Sequence, residues 1–198
     1  MKKKIAVTGG IGSGKSIALS YIKGLGFPVF SCDLIYKKII QQKEYVEKVG
    51  EFFPEAIINN QIDRKKLSTI VFQNSAKLKL LNELAHPLIL KELDKEISQE
   101  NKDVVFAEVP LLFENNLQDK FDKVIVVYRD ISKRIEAICK RDGIPPEAAQ
   151  ARINNQFDYD KYMEVLKKDN RVYIFANNQT KENLYKNIDN FIAKTHQS

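Results

Sequence analysis

Eight consecutive residues constrain this chain more than any others. Gly9-Gly10-Ile11-Gly12-Ser13-Gly14-Lys15-Ser16 fits the spacing G-x-x-x-x-G-K-[ST]. Four of the chain's eight glycines fall in this stretch, a concentration that points to one specific loop geometry. Glycines let a backbone wrap closely around a ligand with its N–H groups aimed inward, which suits phosphate oxygens. The flanks match that reading. Residues 3–8 (KKIAVT) are a short β-rich run, and residues 16–23 read as a helix closed by Gly24 and Gly26. Residues 27–31 (FPVFS) then read as a second strand, which completes a βαβ unit and implies a parallel sheet. A chance glycine-rich turn before Lys-Ser is the alternative, and the strand before and helix after argue against it. In the phosphate reading, the amides of Gly10, Ile11, Gly12, Ser13 and Gly14 and the start of the helix cradle ATP. Lys15 reaches the β- and γ-phosphates, and the Ser16 hydroxyl ligates Mg²⁺. Lys15 is expected to face solvent until phosphate arrives.

The rest of the chain narrows the class. At 198 residues with 43% hydrophobic content it can form one domain, residues 1–198, with a modest insertion. No run of about eighteen apolar residues is present, so no membrane span or membrane partner is expected. After Lys2-Lys3-Lys4, Gly9, Gly10, Gly12 and Lys15 interrupt any apolar stretch, which argues against a secretory signal. Cys32 and Cys139 lack metal-ligand spacing, and two thiols in such a length suit a reducing cytoplasm. The net charge of +6 admits a nucleotide or a nucleic acid. No basic stripe interleaved with aromatics appears, and four of the six arginines (Arg129, Arg134, Arg141, Arg152) fall in one short segment. That favours a phosphate clamp over a nucleic-acid face.

Residues 34–99 show several helical patterns (34–40, 44–53, 64–71, 75–84 and 86–97) and no clear strand, so they read as a helical insertion. Strands return at 104–107, 124–128 and 171–176, with helices at 131–141, 147–156 and 181–194. The P-loop alone does not distinguish a kinase from a GTPase. Neither a D-x-x-G switch nor an N-K-x-D guanine reader is found. A helical insertion for the acceptor, with a lid at 139–156 broken by Gly143 and Pro145-Pro146, suits a small-molecule kinase.

Several residues keep two readings. Asp33, just past the second strand, is either the base that takes a proton from an attacking hydroxyl or the N-cap of the helix from Leu34. Glu108, ending the third strand, either holds a magnesium-bound water or is a solvated strand end. Arg134, Arg141 and Arg152 taken singly are ordinary exposed helix charges. His86-Pro87 reads as a helix start with proline at the first position.

Taken together, these segments resemble the dephospho-coenzyme A kinases over nearly the whole length. Residues 8–16 are similar to that family's opening. Cys32-Asp33-Leu34-Ile35 resembles its D-A-D segment, His86-Pro87-Leu88-Ile89 its H-P-L-I, and residues 109–114 its P-L-L-F-E. Arg134, Arg141-Asp142, Arg152 and Gln156 resemble its R…RD…R…Q lid, and Asn177-Asn178 its N-N-G loop on the adenine side of ATP. The resemblance implies an α/β P-loop kinase fold: a five-stranded parallel sheet flanked by helices, with a helical substrate insertion and a lid, like the nucleoside monophosphate kinases. It implies transfer of the ATP γ-phosphate to the ribose 3′-hydroxyl of dephospho-CoA. Asp33 would be the base, Lys15 and Arg141 would act on the phosphates, and Asn177 would line the ATP site. His86, Glu108 and Arg152 join Asp33 as candidate substrate-side residues. A kinase for a nucleoside, a nucleotide or shikimate is the alternative. Three positions depart from the family: Ser31 replaces the first aspartate, Ile17 stands where threonine is common, and Gln179 replaces a glycine. At Gln179 the cheap access to positive φ that glycine gives is lost.

Overall fold

The first strand is buried on both faces, as a central strand of a parallel sheet must be. In the computed structural model, which describes residues 2–196, β1 (Lys3–Thr8) has four consecutive buried residues from Ile5 to Thr8. It pairs in parallel with β5 (Val104–Glu108) on one side and β6 (Lys123–Tyr128) on the other. β7 (Val172–Ala176) continues in parallel from β6, and β2 (Val29–Ser31) lies beyond β5. The order β2-β5-β1-β6-β7 puts the strand that feeds the phosphate loop at the centre. β2 is shorter than the 27–31 run because Pro28 has no N–H to donate. Its carbonyl still accepts from the Phe106 amide at 3.0 Å.

The chain divides into two compact units, the first holding the sheet and the second spanning Ser31–Glu100. In the first, α1 (Lys15–Gly24) and α9 (Lys181–His196) share a core with one face of the sheet. Ala18, Leu19 and Ile22 meet Leu184, Ile188 and Phe191 over Ile5, Val7, Phe106, Ile125 and Val127. Each such large side chain contributes about 1.5–3 kcal/mol by leaving water. Alternation along β1 turns Thr8 to the other face. There its hydroxyl lies 3.2 Å from the Tyr159 hydroxyl at the start of α8 (Tyr159–Leu166). α8 was not expected, although Asp158 caps it by accepting from the Lys161 amide at 3.0 Å. α6 (Ile131–Asp142) ends at Gly143 with a positive φ, and α7 (Pro146–Asn154) carries proline in its first turn. Between them, Ile138, Ala149 and Ile153 form a separate small core.

The second unit contains α2 (Cys32–Ile39), α3 (Lys43–Phe52), α4 (Arg64–Phe72) and α5 (Ser75–Ser98). It also holds a two-stranded hairpin, β3 (Ile57–Ile58) with β4 (Gln61–Ile62), where no strand was expected. Asn59 and Asn60 at its turn have φ of 50° and 59°, the double positive φ of a type I′ hairpin turn. The expected break at residues 84–86 is absent. α5 is one helix of 24 residues with Pro87 inside it. Leu81, Ala85, Ile89, Leu93 and Ile97 are buried at intervals of four straight through the proline. That stripe outweighs the lost backbone hydrogen bond at Pro87. Asn74 caps the start by accepting from the Ala76 and Lys77 amides. Among the described residues no helix is long and apolar enough to cross a membrane.

Pro87 is exposed and mid-helix, so Pro87→Ala should stabilise the protein. Restored helix bonding is opposed by the greater freedom of the unfolded chain, leaving a gain of about 1–2 kcal/mol. Urea denaturation measures it, and a loss of stability would show that α5 needs the proline.

Candidate active site

The phosphate loop leaves β1 at its carboxyl end and enters α1 through Gly14, whose φ is +96°. An L side chain is strained there, and a Cβ would lie 2.3 Å from the Asn177 amide nitrogen. Asn177 is only 7% exposed, and its Nδ2 donates to the Ser13 carbonyl at 2.8 Å. It thus holds the loop from the β7 side. Lys15 and Ser16 are the first residues of α1, so their amides have no acceptor within the helix. The helix dipole adds positive potential at the same place. The Ser16 side chain is exposed.

Lys15 does not face solvent as expected. It is half-buried, and Nζ donates to the Gly9 carbonyl at 2.6 Å and the Gly10 carbonyl at 3.2 Å. The ammonium is folded back along the loop, and its flexible stem can carry it to a phosphate oxygen from there.

Arg134 differs most from expectation. It is not an exposed helix charge: it is 3% exposed, on the face of α6 that meets the loop. Its Nε donates to the Ile11 carbonyl at 2.9 Å. A Cβ at Gly10 would lie 2.2 Å from its Nη2, so glycine is required there for close approach. Burial disfavours its charged form, while Asp160 and the tyrosines Tyr159 and Tyr128 favour it. A guanidinium stays protonated under such a shift. Gln156 lies past the end of α7 rather than within it, and its Oε1 accepts from the Ile11 amide at 2.6 Å.

Arg141 is exposed in the last turn of α6, and Arg152 is exposed near the end of α7. Both bind Asp142: Arg141 through Nε at 2.7 Å and Nη2 at 2.9 Å, Arg152 through Nη1. The hydrogen bond from Arg141, with Arg152 adding to it, holds the Asp142 carboxyl below its ordinary range. Glu108 closes β5 in register with Val7, the residue before Thr8, and is half-buried beside the start of the loop. Glu114 accepts from the Phe157 amide at 2.9 Å, and Phe113 packs on Phe157 and Tyr159. The 109–114 segment is therefore built into the same wall. Asn178 exchanges two hydrogen bonds with Asp130, at 2.8 and 2.6 Å. Among the described residues, the only non-glycine positions with positive φ are Asn59, Asn60 and Asn116. Gln179 thus occupies ordinary backbone space.

In the second unit, Asp33 is exposed in the first turn of α2. The N-cap position is Ser31, not Asp33, so the capping alternative fails. His86 lies within α5 rather than at a helix start, and burial lowers its pKa below the ordinary value.

The dephospho-CoA kinase family model matches residues 3–183. A dephospho-CoA kinase from Fusobacterium nucleatum is 37% identical over 190 residues, covering 94% of this chain and 95% of that protein. Among solved structures, a Thermus thermophilus protein superposes with a TM-score of 0.84 at 28% identity, covering 98% and 97% of the two chains. The dephospho-CoA kinase from Campylobacter jejuni does so at 0.67 with 31% identity, covering 98% of each. A phosphate loop at the head of a five-stranded parallel sheet and a match over nearly its full length lead to one conclusion: this chain belongs to the dephospho-CoA kinase family.

Proposed function

We propose that this protein transfers the γ-phosphoryl group of ATP to the ribose 3′-hydroxyl of dephospho-CoA, giving CoA and ADP in the last step of CoA biosynthesis. The observation that carries this is the phosphate loop of residues 9–16, in a chain of this family. In the transfer, a bond forms between the 3′-oxygen and the γ-phosphorus. The bond from that phosphorus to the β,γ-bridging oxygen breaks, and ADP leaves. The hydroxyl proton goes to Asp33, an exposed carboxylate that is not spent on capping its helix. Lys15 leaves the Gly9 and Gly10 carbonyls for the phosphates, where its charge offsets that of the transferring group.

Arg141 and Arg152 form the outer phosphate clamp in a lid spanning 139–156, exchanging Asp142 for phosphate oxygens. His86, within the helical insertion of 34–99, serves the CoA side, and Glu108 borders the reacting centre. Asn177 fixes the loop next to the adenosine of ATP. Mg²⁺ would be held by the Ser16 hydroxyl. Among the described residues no group of three or more His, Cys, Asp or Glu could hold a metal alone. That fits an ion whose other ligands are phosphate oxygens and water. When bound, it neutralises charge on the β- and γ-phosphates. The reaction belongs in the cytoplasm, where two thiols in 198 residues are at ease.

The purified protein with ATP and magnesium should convert dephospho-CoA to a product with the mass of CoA. Faster turnover of shikimate, a nucleoside or a nucleoside monophosphate in the same assay would overturn the assignment. Lys15→Ala should lower kcat by about 10²–10³-fold with the fold intact by circular dichroism. Near wild-type turnover at saturating ATP would exclude the P-loop mechanism. Asp33→Asn should lower kcat by about 10²–10⁴-fold while ATP affinity is nearly unchanged. Its melting temperature should hardly move, since Asp33 is exposed and is not the cap. A mutant keeping more than about a tenth of wild-type kcat would send the search for the base to Glu108.

A further inference from the structure

Ile11 sits among glycines. Between Gly9 and Gly14 only Ile11 and Ser13 carry side chains, and glycine backbone loses more freedom on ordering than any other. Such a loop must be immobilised from outside if its amides are to wait in place for phosphate. Three independent contacts do this at Ile11, all from elements more than a hundred residues away. The amide donates to Gln156 Oε1 at 2.6 Å, and the carbonyl accepts from Arg134 Nε at 2.9 Å. The side chain packs against the small core of Ile138, Ala149 and Ile153. Both backbone polar groups of one residue are thus taken by side chains, beside the loop's own turn from the Ser13 amide to the Gly10 carbonyl at 3.2 Å.

We propose that Gln156 is a positioning residue for phosphate transfer, acting through the Ile11 peptide on the curvature of the loop. Gln156 touches neither phosphate nor acceptor in this role. It lowers the ordering cost that ATP would otherwise meet, because a pre-fixed loop loses less freedom on binding. The same contacts tie the loop to α6 and α7. A loop held more firmly by phosphate holds α7 more firmly in return, since coupling between two sites is reciprocal. The segment carrying Arg141 and Arg152 therefore pivots from a root at Ile11 rather than moving as a detached flap. This inference rests on the loop being the ATP phosphate site.

Gln156 is a better probe than Arg134, because removing a fully buried guanidinium invites misfolding. Gln156→Ala leaves the Ile11 amide without its acceptor, and Gln156→Glu keeps an oxygen at the same reach. Hydrogen exchange of residues 10–14 is measured first in the nucleotide-free enzyme, so this arm needs no catalysis. The Ala variant should exchange about 3–10-fold faster than wild type there, and the Glu variant should recover most of the protection. In kinetics, the Ala variant should lose about 3–10-fold in kcat/KM for ATP with KM for dephospho-CoA unchanged. Unchanged exchange at residues 10–14 would overturn the proposal. So would a lowered melting temperature with unaltered ATP kinetics, or an equal loss for both substrates. A wild-type enzyme that failed to phosphorylate dephospho-CoA would count against the assigned reaction and leave the exchange result to decide the role of Gln156.

Discussion

A loop that binds phosphate through its backbone must be rigid without spending its amides on itself. A full set of internal hydrogen bonds would order it and also close it to ligand. This structure keeps a single turn within the loop, the Ser13 amide donating to the Gly10 carbonyl at 3.2 Å, and adds order with side chains that reach in from elsewhere. Asn177 takes the Ser13 carbonyl, Arg134 the Ile11 carbonyl and Gln156 the Ile11 amide, and Tyr159 meets Thr8 at the end of the feeding strand. Other features of the first unit follow from that requirement. β6 and β7 follow one another on the same side of β1, from which α6 and Asn177 reach the loop, and Gly10 and Gly14 leave room for Arg134 and Asn177 to come close. α8 is anchored by a tyrosine whose buried hydroxyl has its partner on β1.

Much of this frame was legible in the sequence because it depends on local pattern. The run from Lys3 to Thr8 is apolar at its end and stops at glycine, and the element boundaries agree to within a residue or two. The same holds for the strand of 124–128 and the helix of 131–141. The misses have local causes too. The hairpin of Ile57–Ile58 with Gln61–Ile62 has only two residues per strand, too few for alternation to show, and its turn uses Asn-Asn without glycine. The Asn-Asn pair between isoleucines was the available signal. α8 had a visible cap at Asp158 with apolar residues at 159, 162, 163 and 166 behind it. α5 was divided because proline is a strong local signal, whereas the buried stripe that carries the helix through Pro87 is a property of the packed unit.

The site was legible as a motif but not as a mechanism of support. Spacing alone identified residues 9–16. Nothing local in Gln156 or Arg134 tells that both turn toward Ile11, since these contacts span 145 and 123 residues. Family likeness grouped Arg134 with Arg141 and Arg152, yet helical geometry separates them. Seven residues along a helix is about two turns, so Arg134 and Arg141 share a face but lie about 10 Å apart along the axis. Arg134 is therefore over the loop while Arg141 is at the far, exposed end. Asp33 shows the converse. Its position past β2 left base and cap equally open, and a two-residue shift in where α2 begins, from Leu34 to Cys32, was enough to remove the cap.

That axial offset divides the labour among the three arginines. A guanidinium as buried as Arg134 has already lost most of its water, so its hydrogen bond to Ile11 is strong and its position fixed. It suits a group that must not move between catalytic cycles. Arg141 and Arg152 keep much of their exposure and share one carboxylate, Asp142. Exposed ion pairs contribute little net stability because water competes for both partners. A phosphate group, with more charge and more acceptor oxygens than a carboxylate, can take these two arginines without a large energetic barrier. Asp142 meanwhile keeps two like charges together, with its own pKa drawn down by them so that it stays ionised near neutral pH. Burial thus sets which arginine is scaffold and which can be exchanged. The chain places Arg134 near the start of α6, and Arg141 at its end, where Arg152 of α7 joins it on Asp142.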